Sequence, residues 1–93
     1  MTFENKLRQA KKKLKKSSQD TYLRNIKRLR KVKHELPIPV SDSKWLLEKG
    51  LFAWFDKQPL SVRRHMATAA NISLQLYGTE NKEWKNRQVK SME

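Results

Sequence analysis

The sequence predicts an all-α fold, a compact bundle of four to five short helices. Apolar residues recur three and four apart in each long segment, the spacing that lines one side of a helix. No run alternates apolar and polar residues at the period of two that a half-buried strand requires. Pro37, Pro59 and Gly78 stand at the ends of the periodic segments, where helix breakers belong. At 93 residues the chain is one small domain or part of a longer protein, with room for a single modest core.

The elements follow in order. Phe3, Leu7, Ala10 and Leu14 fall at i, i+4, i+7 and i+11, which predicts a helix over 3–16. Its other faces are polar or basic, so residues 1–16 read as a basic helix or arm, loosely held. Ser17 or Ser18 suits the N-cap of a second helix over 18–35, with Asp20 favourable in its first turn. Tyr22, Ile26, Leu29, Val32 and Leu36 form its apolar stripe, Leu23 lies beside it, and Pro37 ends it.

The stretch "PIPVSDS" (37–43) reads as an extended connector that tucks Ile38 and Val40 under the core. Asp42 or a flanking serine caps "KWLLEKGLFAWFDKQP". There Trp45, Leu46, Leu47, Leu51, Phe52, Trp54 and Phe55 make the centre of the core, and Gly50 splits the segment into two short helices. After Pro59, Ser61 caps a helix whose inner face is Val62, Met66, Ala69, Ser73 and Leu76, with His65 and Ile72 adjoining it. Ala67, Ala69 and Ala70 admit a close neighbour. Gly78 is its C′ residue, and Thr79 opens a weaker last helix carrying Trp84, Gln88 and Met92 on one side. The expected organisation is thus an N-terminal element (1–16), a helical domain (17–78) and a C-terminal helix (79–93).

Charge is uneven. The chain has 22 Lys+Arg and 9 Asp+Glu, net +13. Residues 1–33 hold 13 basic and 2 acidic side chains (+11), residues 34–93 hold 9 and 7 (+2). An excess confined to one third of a chain points to a polyanionic partner. Within it, Arg24, Lys27, Arg28 and Lys31 lie at i, i+3, i+4 and i+7 on the side of the second helix away from Ile26. No acid occurs between residues 21 and 34 to pair with them. Such a stripe gains affinity for a nucleic-acid backbone by releasing counterions. Lys11, Lys12, Lys13, Lys15 and Lys16 can neutralise phosphates without reading sequence, or serve as a solubilising or targeting run. Arg63 and Arg64 stand in the first turn of a helix, against the macrodipole, which hints at a function for them.

Other classes find little support. The absence of cysteine excludes disulfides and thiolate zinc sites. His34 and His65 lack carboxylates at ligand spacing, and Tyr22, Tyr77, Trp45, Trp54 and Phe55 read as core. Asp42, Glu48 and Asp56 read as caps and surface balance. No glycine-rich phosphate loop, serine–histidine–acid set or paired carboxylates appear, so no catalytic residue, cofactor, metal or small-molecule substrate is expected. No apolar run nears the ~20 residues of a membrane span, and no signal peptide is apparent. The expectation is an intracellular, DNA-associated protein without a membrane partner.

Two segments together carry a family resemblance. "SSQDTYLRNIKRLRKV" resembles the S-x-x-T-aromatic helix that opens the core-binding domain of tyrosine recombinases, phage-type integrases among them. "QPLSVRRHMATAANISLQLYG" resembles that domain's other diagnostic helix, and "WLLEKGLFAWFDK" takes the place of the middle helices. The resemblance spans about residues 17–78 and implies a SAM-like core-binding domain, one jaw of a clamp whose two diagnostic helices face the major groove of duplex DNA. It places Ser18, Thr21, Ser61, Arg63 and Arg64 near DNA and implies further recombinase subunits as partners. The catalytic domain would follow this region, so the resemblance implies DNA gripping without strand cleavage. The alternative expectation is a small basic RNA- or ribosome-associated helical protein.

Overall fold

The computed structural model describes residues 2–79 and 81–91. The chain forms α1 (Phe3–Ala10), α2 (Lys16–Lys33), a 3-10 turn (Lys44–Leu47), α3 (Lys49–Asp56), α4 (Leu60–Leu76) and α5 (Lys82–Ser91). No strand occurs among the described residues. The radius of gyration, 12.4 Å, matches the roughly 12 Å expected of a compact chain of this length. The all-α bundle expected from the periodicity is what forms.

One core joins every helix. Leu7, Ile26, Leu29, Leu46, Leu51, Phe55, Met66, Leu74 and Trp84 are each less than 2% exposed. Phe3 and Leu7 of α1 are among the buried residues. The N-terminal segment, expected to be loosely held, is therefore docked along α2 and α4.

The helix expected over 3–16 is shorter. Thr2 starts it by accepting a hydrogen bond from the Asn5 N–H at 3.2 Å, and it stops at Ala10. Residues 11–14 then turn, and Leu14 is 38% exposed, off the core stripe. The lysines that repel one another along a helix separate on a turn, and the turn lets α1 fold back against α2.

α2 starts at Lys16 with Lys15 as an N-cap that makes no side-chain bond. Ser17 and Ser18, expected to cap, lie inside the helix instead. Leu23, Ile26 and Leu29 face the core, with Tyr22 and Val32 half-buried. The helix ends at Lys33, short of Pro37, because His34 turns extended and meets Glu48 through Nε2 at 2.6 Å. Leu36 consequently leaves the stripe and is 42% exposed. Ile38 is buried and Val40 half-buried, as the connector reading expected.

Asp42 accepts from the Lys44 N–H at 3.0 Å and opens the 3-10 turn. Ser43 faces inward and shares a 2.9 Å hydroxyl bond with Ser73, which explains a serine on the buried face of α4. The hydrophobic segment does divide, but at Glu48, which is extended. Gly50 sits inside α3, where Lys33 Cε lies 2.7 Å from the place of a Cβ. Its want of a side chain admits a neighbour and breaks nothing.

α4 starts directly after Pro59, so Ser61 lies within its first turn and does not cap it. Its end is a Schellman motif. Gly78 adopts φ 65°, its N–H reaches the Gln75 carbonyl, and the Thr79 N–H reaches that of Leu74, both at 3.0 Å. α5 is opened by Asn81, not Thr79, through a 3.1 Å bond to the Trp84 N–H. Trp84 is fully buried and donates its indole N–H to the Leu46 carbonyl at 2.7 Å. Asn71 adds bonds to the Trp84 carbonyl (3.2 Å) and to Gln88 Oε1 (2.7 Å). The helix that reads as weakest in sequence is thus among the best anchored. Met92, expected on its inner side, lies outside the described residues.

Candidate nucleic-acid interface

α2 has a dry face and a charged face because its apolar and basic residues are out of phase by half a turn. With Leu23, Ile26 and Leu29 fixed against α4, residues Arg24, Lys27, Arg28 and Lys31 are all exposed. Among the described residues none of the four makes an ion pair, a side-chain hydrogen bond or a ring contact. Ser17 and Thr21 continue the same side toward the N-terminus. The Thr21 hydroxyl donates to the Ser17 carbonyl at 2.9 Å, so it is occupied in the free protein. α2 has 18 residues and is about 27 Å long at 1.5 Å per residue.

The turn before α2 extends this charge. Lys12, Lys13, Lys15 and Lys16 are exposed and Lys11 partly so, all without a side-chain partner among the described residues. Two acids lie near this side: Asp20 is held by Arg8 at 2.7 Å, and Glu4, which lines a depression with Lys27, meets the same arginine at 3.3 Å. The Arg8 hydrogen bond and charge keep the Asp20 carboxyl below the ordinary carboxylate range against partial desolvation, with Lys16 and Arg24 adding to the effect. Arg8 rises correspondingly, first through its bond to Asp20. Pairing with Arg8 offsets both carboxylates that would repel an anion near this face, Asp20 and Glu4.

Some of the other cations are engaged by the fold. Lys6 lies 4.8 Å from the Tyr77 ring centre and Arg30 5.4 Å from that of Trp45. Arg87 grips Asp56 through Nε (2.9 Å) and Nη2 (3.0 Å). Arg64 donates through Nε to the Ser91 carbonyl at 2.7 Å. Arg63 is half-buried beside Asp56, Arg87 and Ser91, and its Nε has no partner. The sequence-level set therefore divides. Lys11, Lys12, Lys13, Lys15, Lys16, Ser18, Thr21, Arg24, Lys27, Arg28 and Lys31 belong to the turn and α2, whereas Arg63 and Arg64 are turned toward α5. α4 begins at Leu60, so Arg64 is its fifth residue and lies past the first turn.

α2 and α4 meet at a shallow depression lined by Ser17, Ser18, Thr21, Tyr22 and His65. Ser61 is exposed one turn before His65 on α4. Trp45 and Phe55 are buried and Trp54 is half-buried, so they offer no open stacking platform. Among the described residues no three His, Asp or Glu side chains gather as a metal site, and no helix is long and apolar enough to cross a membrane. Sequence reasoning missed Arg8 and Gln19, which act across the gap between α1 and α2. Arg8 also pairs with Glu4 at i,i+4, the only part of that arrangement a helical repeat signals.

Comparison of the chain with protein-family models, curated proteins and solved structures returns no match.

Proposed function

We propose that the protein is a duplex-DNA-binding module of the core-binding type, gripping the backbone through α2 and the lysine turn, with binding and not strand cleavage as its activity. One observation carries the reading. Among the described residues, nine cations without a partner, Lys11, Lys12, Lys13, Lys15, Lys16, Arg24, Lys27, Arg28 and Lys31, follow one another along the turn and one side of α2, whereas the others without one, such as Lys44, Lys57 and Lys90, are spread over the rest of the fold. From Lys16 to Lys31 the helix advances about 22 Å, roughly two-thirds of a B-DNA turn. An α-helix fits the major groove of B-DNA, whereas that of A-form RNA is too deep and narrow. The pairing of α2 with α4, and the Ser17–Thr21 segment facing their junction, supports the likeness to the recombinase domain.

The test is fluorescence anisotropy with a labelled duplex at several KCl concentrations. Replacing Arg24 and Arg28 by Gln is expected to weaken binding and flatten the log–log salt slope by about 0.9 per lost phosphate contact. An unchanged slope removes α2 from the interface. A competing RNA duplex of equal length that binds more tightly replaces DNA by RNA as the partner.

A further inference from the structure

Gln19 is only 8% exposed, and its amide is spent on the turn. Nε2 donates to the carbonyls of Lys11 (3.0 Å) and Leu14 (3.1 Å), while Oε1 accepts from Arg8 Nη1 at 3.1 Å. Arg8 Nη2 in turn reaches Asp20 and Glu4, at 2.7 and 3.3 Å. The turn also closes on itself, since the Leu14 N–H donates to the Lys11 carbonyl at 2.9 Å. Both ends of the lysine-rich segment are therefore tied to the body of the bundle through a satisfied polar network, and such networks rigidify what they hold.

A solubilising run needs no fixed backbone. The hydrogen bonds of the buried Gln19 amide are met, so its burial is tolerated, but holding five ammonium groups across the turn and the start of α2 adds repulsion. That repulsion makes sense if a fixed array of lysines meets a fixed array of phosphates, because ordering done in the free protein need not be done on binding. We infer that Gln19, held by Arg8, is a positioning residue that preorganises Lys11, Lys12, Lys13, Lys15 and Lys16 against phosphates flanking the DNA segment on which α2 lies. The inference rests on the duplex-binding reading. Gln19 touches no phosphate itself and acts through the lysines.

A double-mutant cycle separates this role from a purely structural one. Gln19→Leu leaves the net charge unchanged and removes both donors. A triple variant with Lys12, Lys13 and Lys15 changed to Gln removes exposed charges without touching the network. In the wild-type background Gln19→Leu is expected to weaken duplex binding roughly three- to tenfold, and in the triple variant, where only Lys11 and Lys16 remain to be positioned, to weaken it by clearly less. An equal loss in both backgrounds makes Gln19 structural only and overturns the inference. Should Gln19→Leu fail to fold, Arg8→Lys keeps the charge, loses the fork that holds Gln19, and enters the same cycle with the same expected outcomes. If the triple variant keeps the wild-type affinity and salt slope while Arg24 and Arg28 still matter, the turn's role falls and the α2 reading stands. If the wild type does not bind a duplex at all, both fall together.

Discussion

Replacing Trp84 by Ala tests whether α5 belongs to the domain or is only appended to it. The indole is fully buried and its ring centre lies 5.1 Å from that of Phe52 and 5.0 Å from that of Phe55, the latter edge-on at 80°. Truncating a buried aromatic to Ala costs about 3–5 kcal/mol. The change also strips the Leu46 carbonyl of its donor at 2.7 Å, and an unsatisfied buried acceptor costs about 1–3 kcal/mol more where water cannot reach it. A domain of this length has roughly 5–14 kcal/mol of stability in all, so the variant should be marginal or unfolded at 25 °C. Trp84→Phe keeps a ring and loses the donor, so about 1–3 kcal/mol is expected from the hydrogen bond together with a small packing loss. Urea unfolding followed by circular dichroism reads both values. A Trp84→Ala variant within about 1.5 kcal/mol of wild type would refute the reasoning. α5 would then be the weak appendage that its sequence suggests.

Three smaller perturbations test local geometry. Gly78→Ala should cost about 1–2 kcal/mol, the usual penalty for an L residue at positive φ. An added Cβ there meets nothing within 4 Å, so a thermal melt unchanged from wild type would contradict the Schellman end. Gly50→Ala should instead gain about 0.5–1 kcal/mol from helix propensity, because only the tip of Lys33 must move aside; a loss above 1 kcal/mol would show that the contact cannot yield. Asp20→Asn addresses acid stability. Arg8 depresses the Asp20 carboxyl, so its contribution is present above about pH 4, the ordinary Asp range, and fades as pH falls through the lowered value. The Asn variant should show a shallower loss below pH 4, and coincident acid limbs would mean that the pair does not matter.

The fold class was legible because period and punctuation agree in every segment. What failed were the helix starts. Ser17, Ser18 and Ser61 are good caps by type, yet α2 and α4 begin one or more residues earlier and use no side-chain cap. Local propensity lost there to tertiary placement: the turn at 11–14 is set by Gln19 reaching back to Lys11 and Leu14, and α4 follows Pro59 without a spacer. α5 was undervalued for the same reason. Its mean hydropathy is low, and one fully buried Trp with an N–H bond to another element outweighs that. Of the candidate site, the α2 stripe was legible because exposure follows from the helical period once the core face is known. Arg63 and Arg64 were read as unfavourably placed charges, but a contact such as Arg64 to the Ser91 carbonyl, 27 residues away, leaves no mark on sequence spacing.

The free cations of α2 also set function against stability, and this can be measured without a ligand. Arg24–Lys27, Arg24–Arg28, Lys27–Lys31 and Arg28–Lys31 are like-charge neighbours at i,i+3 or i,i+4, and each such pair destabilises a helix by about 0.2–0.5 kcal/mol. The four together cost about 1–2 kcal/mol at low ionic strength. Salt shortens the screening length from about 10 Å at 0.1 M to about 3 Å at 1 M, so the folded protein should become more stable as KCl rises. Changing Arg24 and Arg28 to Gln removes three of the four pairs and also the attraction of Arg24 to Asp20 at i,i+4, so at low salt it should stabilise the fold by roughly 0.4–1 kcal/mol, a gain that disappears in 1 M KCl. The same variant is expected to bind a duplex less well. A surface selected for stability would not keep these charges unpaired, so a variant that is more stable and binds more weakly is the signature of a face kept for a polyanion. If the Gln variant is instead less stable at low salt, the arginines are contributing to the fold, and their freedom from partners in the protein no longer argues for a ligand.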